Sequence, residues 1–125
     1  MNEHEPIEVT IQSRYLPEQS SPPDNQYAFA YHITLHNRGR ETAQLLRRHW
    51  IITDANGETE EVEGDGVVGE QPVISPGARY EYTSGALLKT PIGTMQGTYH
   101  MIGENGTPFD TTIPIFRLAI PGIVN

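Results

Sequence analysis

The sequence predicts an all-β protein, folded as a sandwich of two antiparallel sheets with about seven strands. Three observations support this class. Apolar and polar residues alternate over several short segments, most clearly from Tyr27 to Leu35. Clusters of Gly, Pro, Asn and Ser separate these segments at short intervals. No segment carries the 3.6-residue apolar period of an amphipathic helix.

The first two strands are predicted over residues 7–15 and 27–36, and the loop 16–25 with its consecutive prolines separates them. In the second strand the odd positions are all large and apolar or aromatic, whereas the even positions are Ala, His and Thr. Burial of each large side chain contributes about 1.5–3 kcal/mol. A register slip of one residue would therefore cost as much as the whole stability of a small domain, so one face is strongly specified.

A third strand is predicted over residues 43–53, with Leu46 and Trp50 on its buried face. Arg48 would share that face, which indicates either a β-bulge or a charged edge. Asn56-Gly57 is a signal for a type I′ hairpin turn, and it predicts that a short acidic strand, 58–63, pairs with the third strand.

The second half begins with a Gly- and Pro-rich connection, 64–77. Strands are predicted over 78–83, 95–102 and 109–118, and a loop over 84–94. Gly97, inside a strand, predicts a close approach of another backbone, and Pro114 predicts an edge strand or a bulge.

Length and charge bound the function. The 125 residues suit one domain, 1–125, whose first six residues we expect to be flexible. Lys and Arg number 8 and Asp and Glu 16, a net charge of −8, which argues against nucleic-acid binding and against adhesion to an anionic membrane. No signal peptide and no apolar run long enough to insert into a membrane is present, so we predict a cytoplasmic protein. The absence of Cys excludes disulfides and thiolate chemistry.

Several segments together resemble the ApaG family, also called CorD. They are Arg48–Asp54, the stretch Gly-Asp-Gly-Val-Val-Gly-Glu-Gln-Pro at 64–72, Ser75-Pro76-Gly77 and Gly97-Thr98-Tyr99. The resemblance implies a fibronectin type III-like, or immunoglobulin-like, β-sandwich. It also implies an interaction module, since similar domains occur fused to other proteins, and a link to cobalt resistance and magnesium efflux. It supplies no catalytic residues.

Gly64, Gly66 and Gly69 form the pattern G-x-G-x-x-G, in which glycines can let backbone N–H groups surround a pyrophosphate. Pro72 and the residues after it exclude the helix that a dinucleotide fold needs at this point. A helix-free anion site remains an alternative. A purely structural loop is favoured because acidic residues crowd the segment.

Arg38, Arg40, Arg47 and Arg48 hold half of the cationic side chains within a short stretch. Guanidinium groups bind phosphate and carboxylate through paired hydrogen bonds, so Arg38, Arg40 and Arg48 are candidate ligand-binding residues together with the three glycines. Solvated charges that protect a strand edge are the favoured alternative.

Metal and catalytic signals are weak. His32 and His36 would lie ~13 Å apart on a strand, which is too far for one ion. We predict no metal site and no cofactor, beyond weak binding of Mg²⁺ or Co²⁺ by the acidic residues of 54–65. Ser84 has no neighbouring His, so we predict no enzyme.

The favoured function is therefore a non-catalytic module that binds an unidentified protein partner. The predicted contact residues are Val67, Val68, Glu70 and Gln71, flanked by the loop 84–94. The alternatives are a small-ligand binder that takes pyrophosphate or a dinucleoside polyphosphate at 64–69, and a hydrolase of such nucleotides.

Overall fold

Eight strands form two antiparallel sheets in the computed structural model, which describes residues 5–123. The strands are β1 (Ile7–Tyr15), β2 (Tyr27–Asn37), β3 (Ala43–Asp54), β4 (Thr59–Asp65), β5 (Val73–Ile74), β6 (Arg79–Leu88), β7 (Ile92–Gly103) and β8 (Pro108–Ala119). Two single turns of 3-10 helix, Pro17–Gln19 and Pro22–Asp24, lie in the β1–β2 connection.

One sheet has the strand order β1-β2-β6, and the other has the order β4-β3-β7-β8 with β5 added beside β3. Their inner faces pack on each other, which confirms the predicted antiparallel sandwich. The eighth strand is β5, a two-residue pairing with Ala43 and Gln44 inside the stretch predicted as a connection. So short a pairing leaves no alternation to detect in the sequence.

The second strand confirms the register argument. Ile33 and Leu35 are fully buried and Phe29 is 1% exposed, as the alternation predicts. The strand also runs one residue further than predicted, to Asn37. Asn37 is buried, and its side-chain amide donates hydrogen bonds to the carbonyl oxygens of Glu41 and Ile74. A buried polar residue with satisfied partners ends the strand without a loss of stability.

A β-bulge resolves the break in the pattern of β3. The register shifts between Leu45 and Arg47, so Leu46 is the extra residue. Leu45 rather than Leu46 is fully buried, which corrects that assignment. Beyond the bulge Arg48 does share the inner face with Trp50. The charged-edge alternative is wrong, because β3 lies between β4 and β7.

The prediction of a loop over residues 84–94 is wrong. Strand β6 continues to Leu88 and β7 begins at Ile92, so only three residues connect them. Ser84 and Gly85 are weak strand formers, but their pairing with Tyr31 and Ala30 of β2 keeps them extended. The proposed flank of the contact surface is therefore a strand and not a loop.

Of three predictions made for single turns or residues, two are confirmed and one is wrong. The hairpin at Asn56-Gly57 forms, but only Gly57 has a positive φ (82°), so the turn is not type I′. A Cβ on Gly97 would lie 2.0 Å from the carbonyl oxygen of His49, which confirms the close backbone approach. Pro114 lies on edge strand β8 where the β7–β8 register shifts, as predicted.

Residues 1–4 lie outside the described part of the chain, whereas the next two make defined contacts. The Glu5 carboxylate accepts hydrogen bonds from the Thr112 backbone N–H (2.9 Å) and hydroxyl (3.3 Å). The carbonyl oxygen of Pro6 accepts one from the N–H of Arg38. The N-terminal segment is thus attached beside β8 and the β2–β3 turn.

Candidate functional site

The segment that follows β4 closes into a tight turn, Val67–Glu70. Val67 and Glu70 exchange backbone hydrogen bonds of 2.8 and 2.9 Å. The two residues between them, Val68 and Gly69, both have positive φ, 41° and 84°. Positive φ at both central positions is the pattern of a type I′ turn, which favours Asn, Asp and Gly. A β-branched residue there is a conformational outlier.

The two valines at this turn have opposite environments. Val67 is 1% exposed and belongs to the hydrophobic core, whereas Val68 is 56% exposed. Val67 therefore anchors the turn, and Val68 projects an apolar side chain into solvent from a strained backbone. Of the two valines among the predicted contact residues, Val68 is exposed enough to touch a partner and Val67 is not.

Each glycine of the G-x-G-x-x-G pattern meets a local constraint. Gly64 lies opposite Arg48 on β3, and a Cβ there would lie 2.8 Å from the guanidinium. A Cβ on Gly66 would lie 2.2 Å from the carbonyl oxygen of Glu70. Gly69 supplies the second positive φ of the turn. The N–H groups of Gly66, Val67 and Glu70 are already donated to carbonyl oxygens within the chain.

The bulge in β3 attaches this segment to the sheet. The Leu46 carbonyl oxygen accepts hydrogen bonds from the Gly66 N–H (2.8 Å) and from the side-chain amide of Gln71 (3.0 Å). Because Leu46 is the unpaired residue of the bulge, its carbonyl is available to the loop. Gln71 therefore holds the loop in place.

Arg48 completes the attachment from inside. Its Nη1 donates hydrogen bonds to the carbonyl oxygens of Asp65 (3.0 Å) and Gly66 (2.9 Å). A charged donor shared by two carbonyl oxygens fixes the point where the chain leaves β4. Arg48 is thus committed in part to holding the loop.

Beneath the turn lies a cleft of about 310 Å³ at the open edge of the sandwich. Its walls come from both sheets and from the loop: Tyr31, Arg48, Trp50, Asp65, Val67, Val68, Gly69, Tyr82 and Ser84. Drug-sized ligands occupy pockets of about 300–1,000 Å³. This cleft is at the lower limit, so it suits one or two side chains or a small anion better than a whole dinucleotide.

Phenol hydroxyl groups line the inner wall of the cleft. Burial raises the pKa of Tyr31, against the opposing effects of a hydrogen bond with Ser84 and the charge of Arg48. Burial likewise raises the pKa of Tyr82, whose hydroxyl is hydrogen-bonded to that of Tyr99. The phenols of Tyr31 and Tyr82 are therefore neutral at physiological pH and can act as hydrogen-bond donors or acceptors.

The arginine cluster divides between two places. Arg38 lies at the β2–β3 turn, with Nη1 3.6 Å from a carboxylate oxygen of Glu8. Arg40 lines a separate cavity of about 310 Å³ with Pro6 and Phe109. Ala43, beside that cavity, and Arg48 are five residues apart on β3, which spans ~16 Å. The fold thus brings Arg48 to the glycine loop but does not bring Arg38 or Arg40 there.

Glu70, another of the predicted contact residues, lies at the end of the turn. Its carboxylate accepts a hydrogen bond of 3.3 Å from the Tyr80 hydroxyl, which ties the turn to β6. Burial raises the pKa of Tyr80, and the charge of Glu70 adds to that effect. The turn is therefore attached to both sheets.

The four histidines within residues 5–123 lie on outer sheet faces with acidic partners. His49 Nε2 lies 2.8 Å from Glu61 Oε1 and 3.8 Å from Glu63 Oε2. His100 Nδ1 lies 2.8 Å from a carboxylate oxygen of Asp110. One imidazole and two carboxylates are a ligand set that a divalent transition metal accepts. Among the described residues, His49, Glu61 and Glu63 are the group whose potential ligand atoms all lie within 4.8 Å of one another.

Sequence reasoning missed two parts of this surface. Tyr31, Tyr82 and Ser84 belong to strands that pair directly, but their meeting with Arg48 depends on how the two sheets stack, which alternation does not reveal. The pairing of His49 with Glu63 was missed for a different reason: a two-residue turn at Asn56-Gly57 would place Gly64 opposite His49, whereas the observed turn has three residues, 55–57, and places Glu63 there.

Comparison with known proteins identifies the family. A family model described as the ApaG domain matches residues 17–103. The chain belongs to the ApaG family. It is 57% identical to Protein ApaG of Pseudomonas paraeruginosa, over 95% of this chain and 94% of that protein. It is 55% identical to Protein ApaG of an Escherichia coli strain, over 94% of each chain.

Solved structures agree with the fold of this ApaG-family chain. A Bordetella pertussis crystal structure, described as a putative ApaA protein, has a TM-score of 0.91 and 53% identity, covering 94% of this chain and 95% of that one. The C-terminal domain of wzt has a TM-score of 0.55 at 9% identity, covering 95% of this chain and 75% of that one, and shares only the fold. No helix among residues 5–123 is long and apolar enough to cross a membrane.

Proposed function

We propose that this ApaG-family chain is a non-catalytic module that binds a partner protein through the turn Val67–Glu70 and the cleft beneath it. The observation that supports the proposal is the conformation of Val68. A strained residue of this kind costs about 1–3 kcal/mol and persists only where the surroundings hold it in place. Here the strain directs an apolar side chain into solvent, where it contributes nothing to the core.

The surroundings of Val68 also support protein recognition. The turn is anchored by the buried Val67, by Arg48 and by Gln71, so its shape is fixed before any partner arrives. A preorganised surface loses little conformational entropy on binding. The aromatic walls of the cleft, next to Val68, are of the kind that accepts anchor side chains.

The experiment compares immobilised wild-type protein with the Val68→Asp variant for the proteins each captures from a cell extract. Val68 is exposed, so a charge there leaves the core intact. Val73→Asp is the matched control, because Val73 is 63% exposed and lies in β5, outside the cleft. We expect Val68→Asp alone to lose specific captures. The same captured proteins with all three chains would contradict the proposal.

A small-ligand function is the second candidate, favoured by Arg48 and the hydroxyl groups in the cleft. Pyrophosphate fits the size of the cleft better than a dinucleoside polyphosphate does. Binding would raise the thermal midpoint with pyrophosphate in wild type and less in Arg48→Lys. Product formation from a dinucleoside polyphosphate would instead indicate the hydrolase. Against a hydrolase, the Ser84 hydroxyl interacts with Tyr31 and not with a histidine.

Weak divalent-cation binding, the link to Mg²⁺ or Co²⁺ efflux and a cytoplasmic location complete the proposed function as predictions. The cation prediction has its best ligand set at His49, Glu61 and Glu63. Titration of Co²⁺ with observation of the backbone amide signals tests it. Changes concentrated at these three residues are expected, and changes equal to those at the His100–Asp110 pair would contradict a specific site.

A further inference from the structure

The edges of the two sheets differ in their protection. Exposed strand edges invite pairing with other chains, and proteins shield them with charges, prolines or covering segments. Edge strand β4 is strongly acidic, and β8 contains prolines and is covered at Thr112 by Glu5. Strand β1 packs against β8, where the Ser13 hydroxyl donates a hydrogen bond to the Arg117 carbonyl oxygen. Strand β6 is ten residues long, has no proline and carries only two charged residues.

The hydrogen bonds of β2 show which groups of β6 point outward. Ala28 bonds with its carbonyl oxygen to the N–H of Leu16, on the β1 side. Asn37 bonds with its N–H to the carbonyl oxygen of Ala78, on the β6 side. The backbone N–H and C=O groups of the odd residues of β2 therefore point towards β6. Their hydrogen-bonded partners in β6 are the even-numbered residues. The odd residues of β6 direct both backbone groups away from the sheet: Arg79, Glu81, Thr83, Gly85 and Leu87.

These outward groups have no hydrogen-bond partner within residues 5–123. They lie in a row along the open seam of the sandwich, between β6 and β4. The cleft under Val68 occupies one part of this seam, since Tyr82 and Ser84 of β6 form its wall. An extended polypeptide is the ligand whose backbone matches such a row.

A second cavity on the same seam indicates the charge of that polypeptide. It has a volume of about 340 Å³, an apolar floor of Ile52, Leu87 and Leu88, and a rim of acidic residues with one lysine. The rim residues are Asp54, Glu58, Glu60 and Lys89, with Thr59 between the two glutamates. Glu58 and Glu60 form no ion pair among the described residues. A Lys or Arg side chain fits this combination, because its aliphatic stem can cover leucine while its charge meets a carboxylate.

We propose that β6 receives an extended, Lys- or Arg-bearing segment of a partner protein as a fourth strand of its sheet. One basic side chain of that segment occupies the acidic cavity over Leu87 and Leu88. The proposal rests on the proposed function and names the partner chemistry, since the same strand forms the wall of the cleft beneath Val68. The net charge of −8 favours the same partner by attracting a basic segment over longer range.

The test uses the whole chain labelled with ¹⁵N and an acetylated, amidated octapeptide of alternating Thr and Lys. Water exchange is measured for each backbone N–H of β6. At a peptide concentration nine times the Kd, exchange of the outward N–H groups of Glu81, Thr83, Gly85 and Leu87 should slow about tenfold. The inward N–H groups of Tyr82 and Ser84 serve as internal controls and should not change.

Two control peptides separate strand addition from charge. Replacing Thr by Pro keeps the charge but removes the extended pairing geometry, and replacing Lys by Glu keeps the geometry but reverses the charge. Both should leave the outward N–H groups unprotected. The Glu58→Gln, Glu60→Gln variant should weaken binding of the Thr-Lys peptide severalfold. The matched variant Glu61→Gln, Glu63→Gln changes the opposite face of β4 and should not.

No protection with the Thr-Lys peptide, or equal protection with either control peptide, would overturn the proposal. Protection that grows with protein concentration in the absence of peptide would also overturn it, because β6 would then pair with a second copy. If Val68→Asp loses capture but the peptide gives no protection, strand addition is contradicted and the proposed function is not. Equal capture by that variant would contradict the proposed function itself.

Discussion

Replacing Val68 by Asn should make the protein more stable while making it a poorer binding partner. Holding an L-residue in the left-handed region costs about 1–2 kcal/mol, and Asn tolerates that region better than a β-branched residue does. The burial lost is small because Val68 is 56% exposed. We expect a net gain of about 1 kcal/mol in the free energy of unfolding. With an unfolding entropy of about 2.1 cal/mol/K per residue, the thermal midpoint should rise by about 4 °C.

The assay is thermal and urea unfolding of wild type and Val68→Asn, with capture from extract measured on the same preparations. Val73→Asn is the matched control, since Val73 is as exposed but lies in a strand with no positive φ. There Asn should lower stability slightly, because it favours strands less than Val. A lower midpoint for Val68→Asn, or unchanged capture, would refute the inference that strain is retained to present this side chain.

Three further changes test the surrounding structure. Gly97→Ala should lower the free energy of unfolding by at least about 2 kcal/mol in urea, since its Cβ would meet the His49 carbonyl oxygen; a neutral effect would contradict the close approach. Arg48→Lys should lower it by about 1–3 kcal/mol, because a donor shared by two carbonyl oxygens is lost, and unchanged stability would show that the contacts carry little energy. Burial raises the pKa values of Tyr82 and Tyr99 above the unfolded value of 10.0. The stability that these two groups contribute is therefore full below pH 10 and declines as the pH rises above 10. A urea midpoint that stays constant from pH 9 to 11 would contradict this.

The fold was predictable where burial on one face fixes the register. The alternation in β2 indicated its buried face because slipping it would expose Phe29, Ile33 and Leu35 at once. The end of β6 was not predictable, since Ser84 and Gly85 carry little local preference and are extended only because β2 pairs with them. Tertiary pairing determined the structure where local propensity was weak.

The candidate site was predictable as a segment but not as a set of side chains. Two adjacent valines between glycines indicated a special surface, but only the turn geometry separates buried Val67 from exposed Val68. Likewise the arginines are close in sequence, yet an extended strand separates Arg40 from Arg48 along its length. Arg40 precedes β3 and Arg48 lies inside it, so the turn between β2 and β3 does not bring the two side chains together.

In the glycine pattern, the direction in which the backbone N–H groups point decides the function, and the spacing of the glycines does not reveal it. A phosphate site requires N–H groups that converge on one point outside the chain, and glycines help only by clearing the path. In this ApaG-family chain Gly64 clears space for Arg48, Gly66 clears space for the Glu70 carbonyl, and Gly69 permits a turn. The N–H groups of Gly66 and Glu70 point into the chain. The same letters thus build a rigid projection from the sandwich, which suits a surface that contacts a protein better than one that encloses an anion.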